Sequence, residues 1–319
     1  IKDFKFINEI FGMEKGNQVL IKQAKLMASN PSERTICARL MNDRFALCLP
    51  REEFDEKRVA DSIKELQREF SGNSFHLHTY MGVYEIRDRD EAVSIMVDKA
   101  NIAADTIKNN YDCCVAYYDE HLLEISIEQR RLLGEFEPAL QNDEFVMYLQ
   151  PQVKRDGAAK GAEALVRWVH PSRGILTPYA FIDILENAGL IYKLDLYIWE
   201  KAAQKLAEWK EKGYGSYHIS VNISTKDFYI IDIYETFTGL INKYGIAASN
   251  LHLEITETTL MTDFEKNMNI IHKLQDVGFR VEIDDFGSGY SSLNMLKDIS
   301  ADVLKIDMGF LRKSENEVK

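Results

Sequence analysis

The chain has 319 residues, of which 45% are hydrophobic and 28% are charged, and this composition is typical of a soluble globular protein large enough for two cores. The formal net charge of −12 argues against a nucleic-acid polymer or an anionic membrane as the main partner. No apolar run approaches the ~20 residues that cross a bilayer, and no signal peptide begins the chain.

These exclusions favour a cytoplasmic segment that makes no membrane contact of its own. The cysteines have no metal-like spacing and fit reduced thiols in that compartment: Cys37, Cys48, Cys113 and Cys114. Ile1 already lies in an amphipathic pattern, and the chain closes soon after an apolar strand. We therefore expect a segment truncated at both ends, and a membrane tether before Ile1 in the parent protein stays open.

Residues 1–121 alternate helix-like and strand-like segments, which is typical of an α+β domain with helices against one mostly antiparallel sheet. Residues 16–30 carry apolar residues at helical spacing, and two strand-like runs flank Met41–Arg44, a hairpin signal. Helix, strand, helix and strand patterns then follow in order at residues 59–70, 74–86, 90–108 and 113–119.

A charged amphipathic segment at residues 122–142 is predicted to be a helix that links two domains. The pattern changes in residues 143–319, the second predicted domain. Strand-like runs separated by helical patterns recur there: FVMYLQP, GAEALVRW, HISVNIS, LHLEITE, RVEIDDF and VLKIDMG. Strand–helix alternation implies parallel strands, so we predict a (β/α) barrel or a doubly wound sheet.

Each of these strands has one apolar and one polar face. In HISVNIS, for example, Ile219 and Val221 oppose Ser220 and Asn222, because side chains alternate with period two. Helices should cover the apolar face, so we expect the polar face to look into the barrel or along its rim. Barrel enzymes place their chemistry at the carboxyl ends of the strands. The side chains expected to converge there are Glu163, Asn222, Glu254, Asp284, Lys305 and Asp307.

Oxygen ligands of this kind, without histidine or cysteine at metal spacing, select hard cations such as Mg²⁺ or Mn²⁺. The alternative is a set of structural ion pairs inside the barrel. That arrangement would desolvate several like charges with only Lys305 and Arg167 to balance them, which is costly. We therefore favour the metal site.

Asp284 and Asp285 are adjacent at the end of an apolar strand, before a glycine-rich turn at Gly287–Gly289. A solvated turn would account for these residue types, but the turn also lets both carboxylates flank a pair of cations. Paired cations ~3.5–4 Å apart are a recurring device for hydrolysing phosphodiesters. Arg167 could then hold a phosphate oxygen, and Lys305 could orient or help deprotonate the attacking water.

Several motifs occur in one order along the chain. Glu163-Ala164-Leu165 is followed by Val-Arg-Trp, and with it occur LQP, SVNIS, LEITE, DDFGSGYSSL and LKID. In this combination the sequence resembles EAL-domain proteins, the phosphodiesterases that hydrolyse cyclic di-GMP, over about residues 143–310. The resemblance implies a TIM-like barrel, of which this chain would hold about six of eight strands. It also implies metal-dependent hydrolysis to linear pGpG by the intact parent.

The resemblance gives a role to each matching position. The residues that would bind two Mg²⁺ or Mn²⁺ ions are Glu163, Asn222, Glu254 and Asp284 for the first and Asp285 for the second. Lys305 would assist the nucleophilic water and Asp307 would support the metal site, and with Glu163 these form the catalytic set. Gln150 and Arg167 would contact the dinucleotide.

In the family, the loop after Asp285 links metal binding to dimerisation, so the resemblance also implies a homodimer through this domain. The family continues beyond LKIDMGF with EGVE-like and QGY-like motifs that this sequence lacks. We therefore expect the chain alone to be inactive. The alternative function is a non-catalytic receptor for cyclic di-GMP, which the presence of Glu163, Glu254 and Lys305 disfavours.

The first domain resembles a GGDEF domain, the diguanylate cyclase fold, through DFKFINEIFGMEKGNQVL and the hairpin RLMNDRFALCL. The signature positions read Met41–Phe45, without either glycine and with Arg44 at an acidic position. Asn17 and Lys2 replace two further acidic residues. Cyclase chemistry needs carboxylates that hold Mg²⁺ on a triphosphate, so the resemblance implies a degenerate, regulatory domain that is a GTP sensor or a dimer surface.

Overall fold

A computed structural model of the protein describes residues 1–2, 4–29, 32–70, 77–108, 110, 113–287 and 301–307. The chain divides into two units, Ile1–Glu128 and Gln129–Lys319. Among the described residues, no helix has both the length and the apolar character that crossing a bilayer requires.

The first unit combines helices with two short sheets. Its elements are α1 (Phe4–Ala28), β1 (Ile36–Arg39), β2 (Phe45–Cys48), α2 (Glu56–Phe70), β3 (Met81–Val83), α3 (Val93–Thr106) and β4 (Val115–Tyr117). Strands β1 and β2 pair antiparallel, as the predicted hairpin around Met41–Arg44. Strands β3 and β4 pair in parallel, whereas we expected mostly antiparallel pairing. The reason is that α3 connects them as a crossover, and a crossover returns the chain in the same direction.

Close packing holds the first unit together. A Cβ atom at Gly82 of β3 would lie 1.8 Å from the carbonyl oxygen of Ala100, so only glycine allows α3 to approach the strand this closely. The buried side chains Ile7, Val19 and Leu66 form a separate core with Leu77.

The second unit alternates strands and helices. Helix α4 (Glu120–Gln141) begins in the first unit and ends in the second. The further elements of the second unit are β5 (Phe145–Val153), β6 (Ala159–His170), β7 (Gly174–Leu176), α5 (Ile182–Ala188), α6 (Ile191–Glu211), β8 (His218–Ile223), α7 (Asp227–Ile230), α8 (Ile233–Tyr244), β9 (Leu251–Thr256), α9 (Glu257–Thr262), α10 (Phe264–Val277), β10 (Arg280–Phe286) and β11 (Val303–Ile306).

The strands of this unit form one sheet in the order β11-β10-β9-β8-β6-β5, with β7 on β6. Strands β6, β8, β9, β10 and β11 are parallel to one another, whereas β5 and β7 run antiparallel to β6. The predicted mostly parallel, incomplete (β/α) barrel is confirmed as a fold class, and within the described residues the sheet does not close. The sequence did not predict β7.

The apolar face of the sheet packs against the helices. Ile219, Val221, Leu253 and Val281 are at most 2% exposed, and they belong to one core with buried residues of α6 such as Trp199. This burial fixes the register, because a slip of one residue would turn the apolar set to the other face. The polar side chains are thereby held together on the opposite face.

Candidate active site

Acidic and amide side chains from neighbouring strands are brought together by the sheet register. Gln150 of β5 pairs with Glu163 of β6, and Asn222 of β8 pairs with Glu254 of β9. Gln150 and Asn222 are exposed, Glu163 is half-buried, and Glu254 is fully buried. Asn222 and Glu254 lie near the carboxyl ends of parallel strands, which meet at the same edge, whereas Gln150 and Glu163 are placed by the antiparallel pairing of β5 with β6.

Lys305 of β11 joins residues from two distant strands. Its Nζ lies 2.9 Å from Oε2 of Glu163 and also donates to Oε1 of Glu254. The side chains of Lys305 and Glu163 are 24% and 22% exposed, whereas Glu254 is 0% exposed. Three residues that are far apart in the sequence therefore form one partly desolvated ion-pair cluster.

Glu254 is the most perturbed acid of this cluster. Burial, helped by the charges of Glu163 and Asp284, raises the pKa of Glu254 to about 8, although Lys305 acts in the opposite direction. Its second oxygen, Oε2, accepts no hydrogen bond within the described part of the protein. A buried carboxylate oxygen without a partner is costly, and a bound cation would satisfy it.

The end of β10 departs from regular strand geometry at the two adjacent acids. The β10–β11 register shifts between Ile283 and Phe286, and Asp285 has a positive φ of 52°. This left-handed backbone is uncommon for residues other than glycine, although Asp tolerates it better than most, and such outliers collect at functional sites. The shift breaks the strict alternation, which supports the expectation that Asp284 and Asp285 turn to a common point.

Charges crowd around Asp285. Burial and then the charges of Asp284 and Asp307 raise the pKa of Asp285, and Lys305 only partly offsets them. The backbone amide of Asp307 donates to the carbonyl of Phe286 at 3.2 Å, which ties the end of β11 to the end of β10. Acidic side chains thus exceed cationic ones at this edge.

The structure does not join Arg167 to this cluster. Its Nη1 donates to the carbonyl of Val166 at 2.8 Å, and its guanidinium lies 5.8 Å from the ring centre of Tyr148. Arg167 follows Glu163 by four residues on the same face, which corresponds to about 13 Å along a strand. Its predicted contact with the dinucleotide therefore stays a prediction.

Two supporting residues escaped the sequence reasoning. Oε2 of Glu257 accepts the backbone amide of Gly287 at 2.9 Å, and Gly287 has a φ of 91°. Glu257 lies in the LEITE motif, which could have drawn attention to it. Trp199, a fully buried residue of α6, donates to the carbonyl of Asn222 at 2.9 Å. Gly289 and the rest of the glycine-rich turn lie outside the described residues.

The fold agrees with comparisons with known proteins. Residues 134–319 match the family model of the EAL domain, and the chain belongs to the EAL family. Residues 1–112 match the family model described as "Diguanylate cyclase, GGDEF domain". The chain is therefore a GGDEF–EAL tandem, as the sequence motifs predicted.

Two curated relatives come from Pseudomonas aeruginosa. The "Bifunctional diguanylate cyclase/cyclic di-GMP phosphodiesterase MucR" is 30% identical over 97% of this chain and 46% of its own length. The "Cyclic di-GMP phosphodiesterase NbdA" is 26% identical over 97% of this chain and 40% of its own length. The chain thus spans less than half the length of these relatives.

Solved structures show the same likeness. The structure titled "PaMucR Phosphodiesterase, c-di-GMP complex" is 35% identical with a TM-score of 0.54, over 57% of this chain and 74% of that one. A Vibrio cholerae structure, "LapD S helix-GGDEF-EAL (bound to c-di-GMP)", covers 98% of this chain and 75% of its own with a TM-score of 0.60. Its identity is 17%, so it shows the shared fold alone.

Proposed function

We propose that the protein to which this chain belongs hydrolyses cyclic di-GMP to linear pGpG at the acidic edge of the second unit. The observation that carries the proposal is the contact of Lys305 with both Glu163 and Glu254, side chains from three strands. Cyclic di-GMP is supported as the substrate by the similarity to MucR and NbdA, which are named for that activity.

The donor set fits a divalent cation such as Mg²⁺ or Mn²⁺, because it consists of carboxylate and amide oxygens. The buried Oε2 of Glu254, without a hydrogen-bond partner among the described residues, is the contact that such an ion would complete. The residues that would hold the first ion are Glu163, Asn222, Glu254 and Asp284, and Asp285 would hold the second. A bound pair of ions would supply an activated water and stabilise the leaving oxygen.

The side chains of the chain itself supply the remaining functions. Lys305 keeps its charge, since its contacts with Glu254 and Glu163 outweigh the effect of burial and raise the pKa of its ammonium group. It holds Glu163 and Glu254 at a fixed separation and orients the attacking water. Asp307 supports the metal site from the end of β11. Arg167 binds a phosphate oxygen through its guanidinium, and Gln150 contacts the dinucleotide.

The first unit has a regulatory role in this proposal. Its hairpin presents Arg44 where a carboxylate would hold Mg²⁺, and Arg39 donates to the carbonyl of Asn42 at 2.9 Å, which occupies the turn with a structural contact. GTP could bind there as a regulator without being condensed. We also propose residues 122–142 as the linker, a homodimer formed through residues 143–319, and a cytoplasmic location.

The deciding experiment incubates the intact protein with cyclic di-GMP and Mg²⁺ or Mn²⁺ and separates the products by chromatography. We expect pGpG to appear with the wild type and not with Glu163→Gln. Lys201→Met is the matched control, because it removes a surface lysine that pairs with Asp143 at 2.8 Å. Cyclic di-GMP that is bound tightly but recovered unchanged would overturn hydrolysis in favour of the receptor function.

A further inference from the structure

A second group of polar side chains lies deeper on the inner face of the sheet. His218 begins β8, His252 is the second residue of β9, and Glu282 is the third residue of β10. They are 5%, 2% and 2% exposed, so the group is almost completely shielded from solvent. Neither the proposed hydrolysis nor its metal ligands use any of these residues.

The two imidazoles and the carboxylate are in direct contact. The rings of His218 and His252 stack with their centres 3.7 Å apart and their planes within 1° of parallel. Nδ1 of His252 lies 2.6 Å from Oε1 of Glu282. The other carboxylate oxygen, Oε2 of Glu282, is buried and has no hydrogen bond of normal geometry within the described residues, although the Ser220 hydroxyl lies close enough to help lower the pKa of Glu282. A buried carboxylate oxygen that is so weakly bonded, beside two imidazoles, is unusual in a purely structural cluster.

Neighbouring residues make room for this arrangement. Gly161 of β6 pairs with His218 across the sheet, and a Cβ atom at Gly161 would lie 2.5 Å from the His218 ring. Any side chain at this position would therefore displace the imidazole. Oε1 of Gln152 accepts a hydrogen bond from Nε2 of His218 at 2.7 Å, and Nε2 of Gln152 donates to the hydroxyl of Ser220 at 3.3 Å. These contacts fix the orientation of the ring and leave its Nδ1 as the nitrogen that can bind an ion.

We propose that His218, His252 and Glu282 form a binding site for a first-row transition-metal ion such as Zn²⁺, separate from the oxygen-rich edge. One donor atom from each of the three residues lies within 4.8 Å of the other two. Zinc binds imidazole nitrogen and carboxylate oxygen at about 2.0–2.2 Å, which places the donor atoms roughly 3.3 Å apart. Nδ1 of His252 and Oε1 of Glu282, now 2.6 Å apart, would therefore separate to admit the ion. One of the two stacked rings would turn so that both imidazoles face it.

The chemistry of the donors separates the two sites. Imidazole nitrogens suit Zn²⁺ and similar ions, whereas carboxylates and amides alone suit Mg²⁺ and Mn²⁺. Burial is the largest cause that lowers the pKa of His218 to about 4, so this imidazole is neutral near pH 7 and available as a ligand. Binding of an ion to His252 would displace any proton on the nitrogen that becomes the ligand. An ion here would cross-link β8, β9 and β10 directly below the candidate active site.

The ordinary alternative is a buried His–Glu ion pair with a second imidazole stacked on it. The same unit contains a comparison for that case. His170 is 8% exposed and lies 2.9 Å from Oε2 of Glu135, but the group of potential metal ligands found among the described residues does not include it. His170 is therefore the matched control for a buried histidine that pairs with a carboxylate.

The test uses the untagged chain, stripped of metal and held in excess Mg²⁺ so that the oxygen-rich edge is saturated. Zn²⁺ is titrated against a chromophoric chelator, and Co²⁺ is added separately to record its visible absorption. We expect one tightly bound ion per chain and the intense absorption of a low-coordinate Co²⁺ site with nitrogen ligands. Affinity should fall at least a hundredfold in His218→Gln and in His252→Gln, and should be unchanged in His170→Gln.

Circular dichroism of each variant verifies that it is folded. If His252→Gln does not fold, the test relies on His218→Gln, whose amide side chain can still form a hydrogen bond with Gln152. The proposal is overturned if the wild type binds Zn²⁺ no more tightly than His218→Gln does. It is also overturned if a thiolate-to-cobalt charge-transfer band shows that cysteines are the ligands, or if Asp284→Asn abolishes binding while His218→Gln does not.

Discussion

Replacing Lys305 by methionine isolates the effect of the buried cation on Glu254, because methionine keeps an unbranched chain and removes the charge. In the wild type the pKa of Glu254 rises from 4.5 to about 8, chiefly through burial. Between pH 4.5 and about pH 8, Glu254 holds a proton in the folded state that it has released in the unfolded chain. The free energy of unfolding therefore falls as pH rises through this interval, by at most about 1.4 kcal/mol per pH unit, and levels off above it.

Without Lys305 the pKa of Glu254 lies higher still, because Lys305 is the group that lowers it. The folded variant then retains the proton beyond about pH 8, and its stability continues to fall where that of the wild type is level. Near pH 6 the free energy of unfolding of Lys305→Met should be about 1–2 kcal/mol lower than that of the wild type, because the hydrogen bonds of Lys305 are lost. By about pH 9 we expect the difference to grow by up to about 1.4 kcal/mol.

Urea unfolding of the metal-free chain measures this difference. Tryptophan fluorescence reports the second unit selectively, because Trp168, Trp199 and Trp209 all lie there. Lys201→Met removes an exposed ion pair, so its free energy of unfolding should differ from that of the wild type by an amount that does not change with pH over this range. A constant difference between the wild type and Lys305→Met from about pH 6 to about pH 9.5 would refute the reasoning.

Three further predictions follow from the same geometry. Glu163→Gln and Lys305→Met should each lower the turnover of cyclic di-GMP by the intact protein about 10²–10⁴-fold, measured as pGpG formed, and wild-type rates in either would contradict the proposed roles. Chelation of divalent metal should abolish that turnover and Mn²⁺ or Mg²⁺ should restore it, whereas activity that survives chelation would count against the metal site. Trp199→Phe should lower the free energy of unfolding of the second unit by about 1–3 kcal/mol, because the carbonyl of Asn222 loses its Trp199 donor and the fully buried indole is replaced by a smaller ring. Trp209→Phe is the control, and equal urea midpoints for both variants would contradict this role of Trp199.

The alternation of residue types predicted much of the second unit. It assigned Ile219 and Val221 to the face that is now fully buried under the helices, and it placed Glu254 and Lys305 at the same edge. Alternation follows from strand geometry alone, so it can be recognised without knowing the neighbours of a strand. Alternation does not show how far a polar side chain lies from the solvent-exposed edge of the sheet. The burial of Ser220 and Glu282 on the polar face was therefore not predicted.

Contacts over long distances in sequence were also beyond local patterns. Lys305 was expected to assist a water, but its pairing with Glu163 and Glu254 depends on residues 142 and 51 positions away. Arg167 shares a face with Glu163, yet its distance along β6 separates it from the acids. The parallel pairing of β3 with β4 depends on the crossover through α3, which hairpin and strand signals do not specify.

The late position of Lys305 in the chain has a consequence for biosynthesis. Glu163 and Glu254 leave the ribosome 142 and 51 residues before the lysine that neutralises them. At about 5–20 residues per second, β9 would wait several seconds for β11. During that time Glu254 lacks the Lys305 donor that bonds to it in the folded protein, so we expect the final docking of β9 to be delayed until β11 has been synthesised.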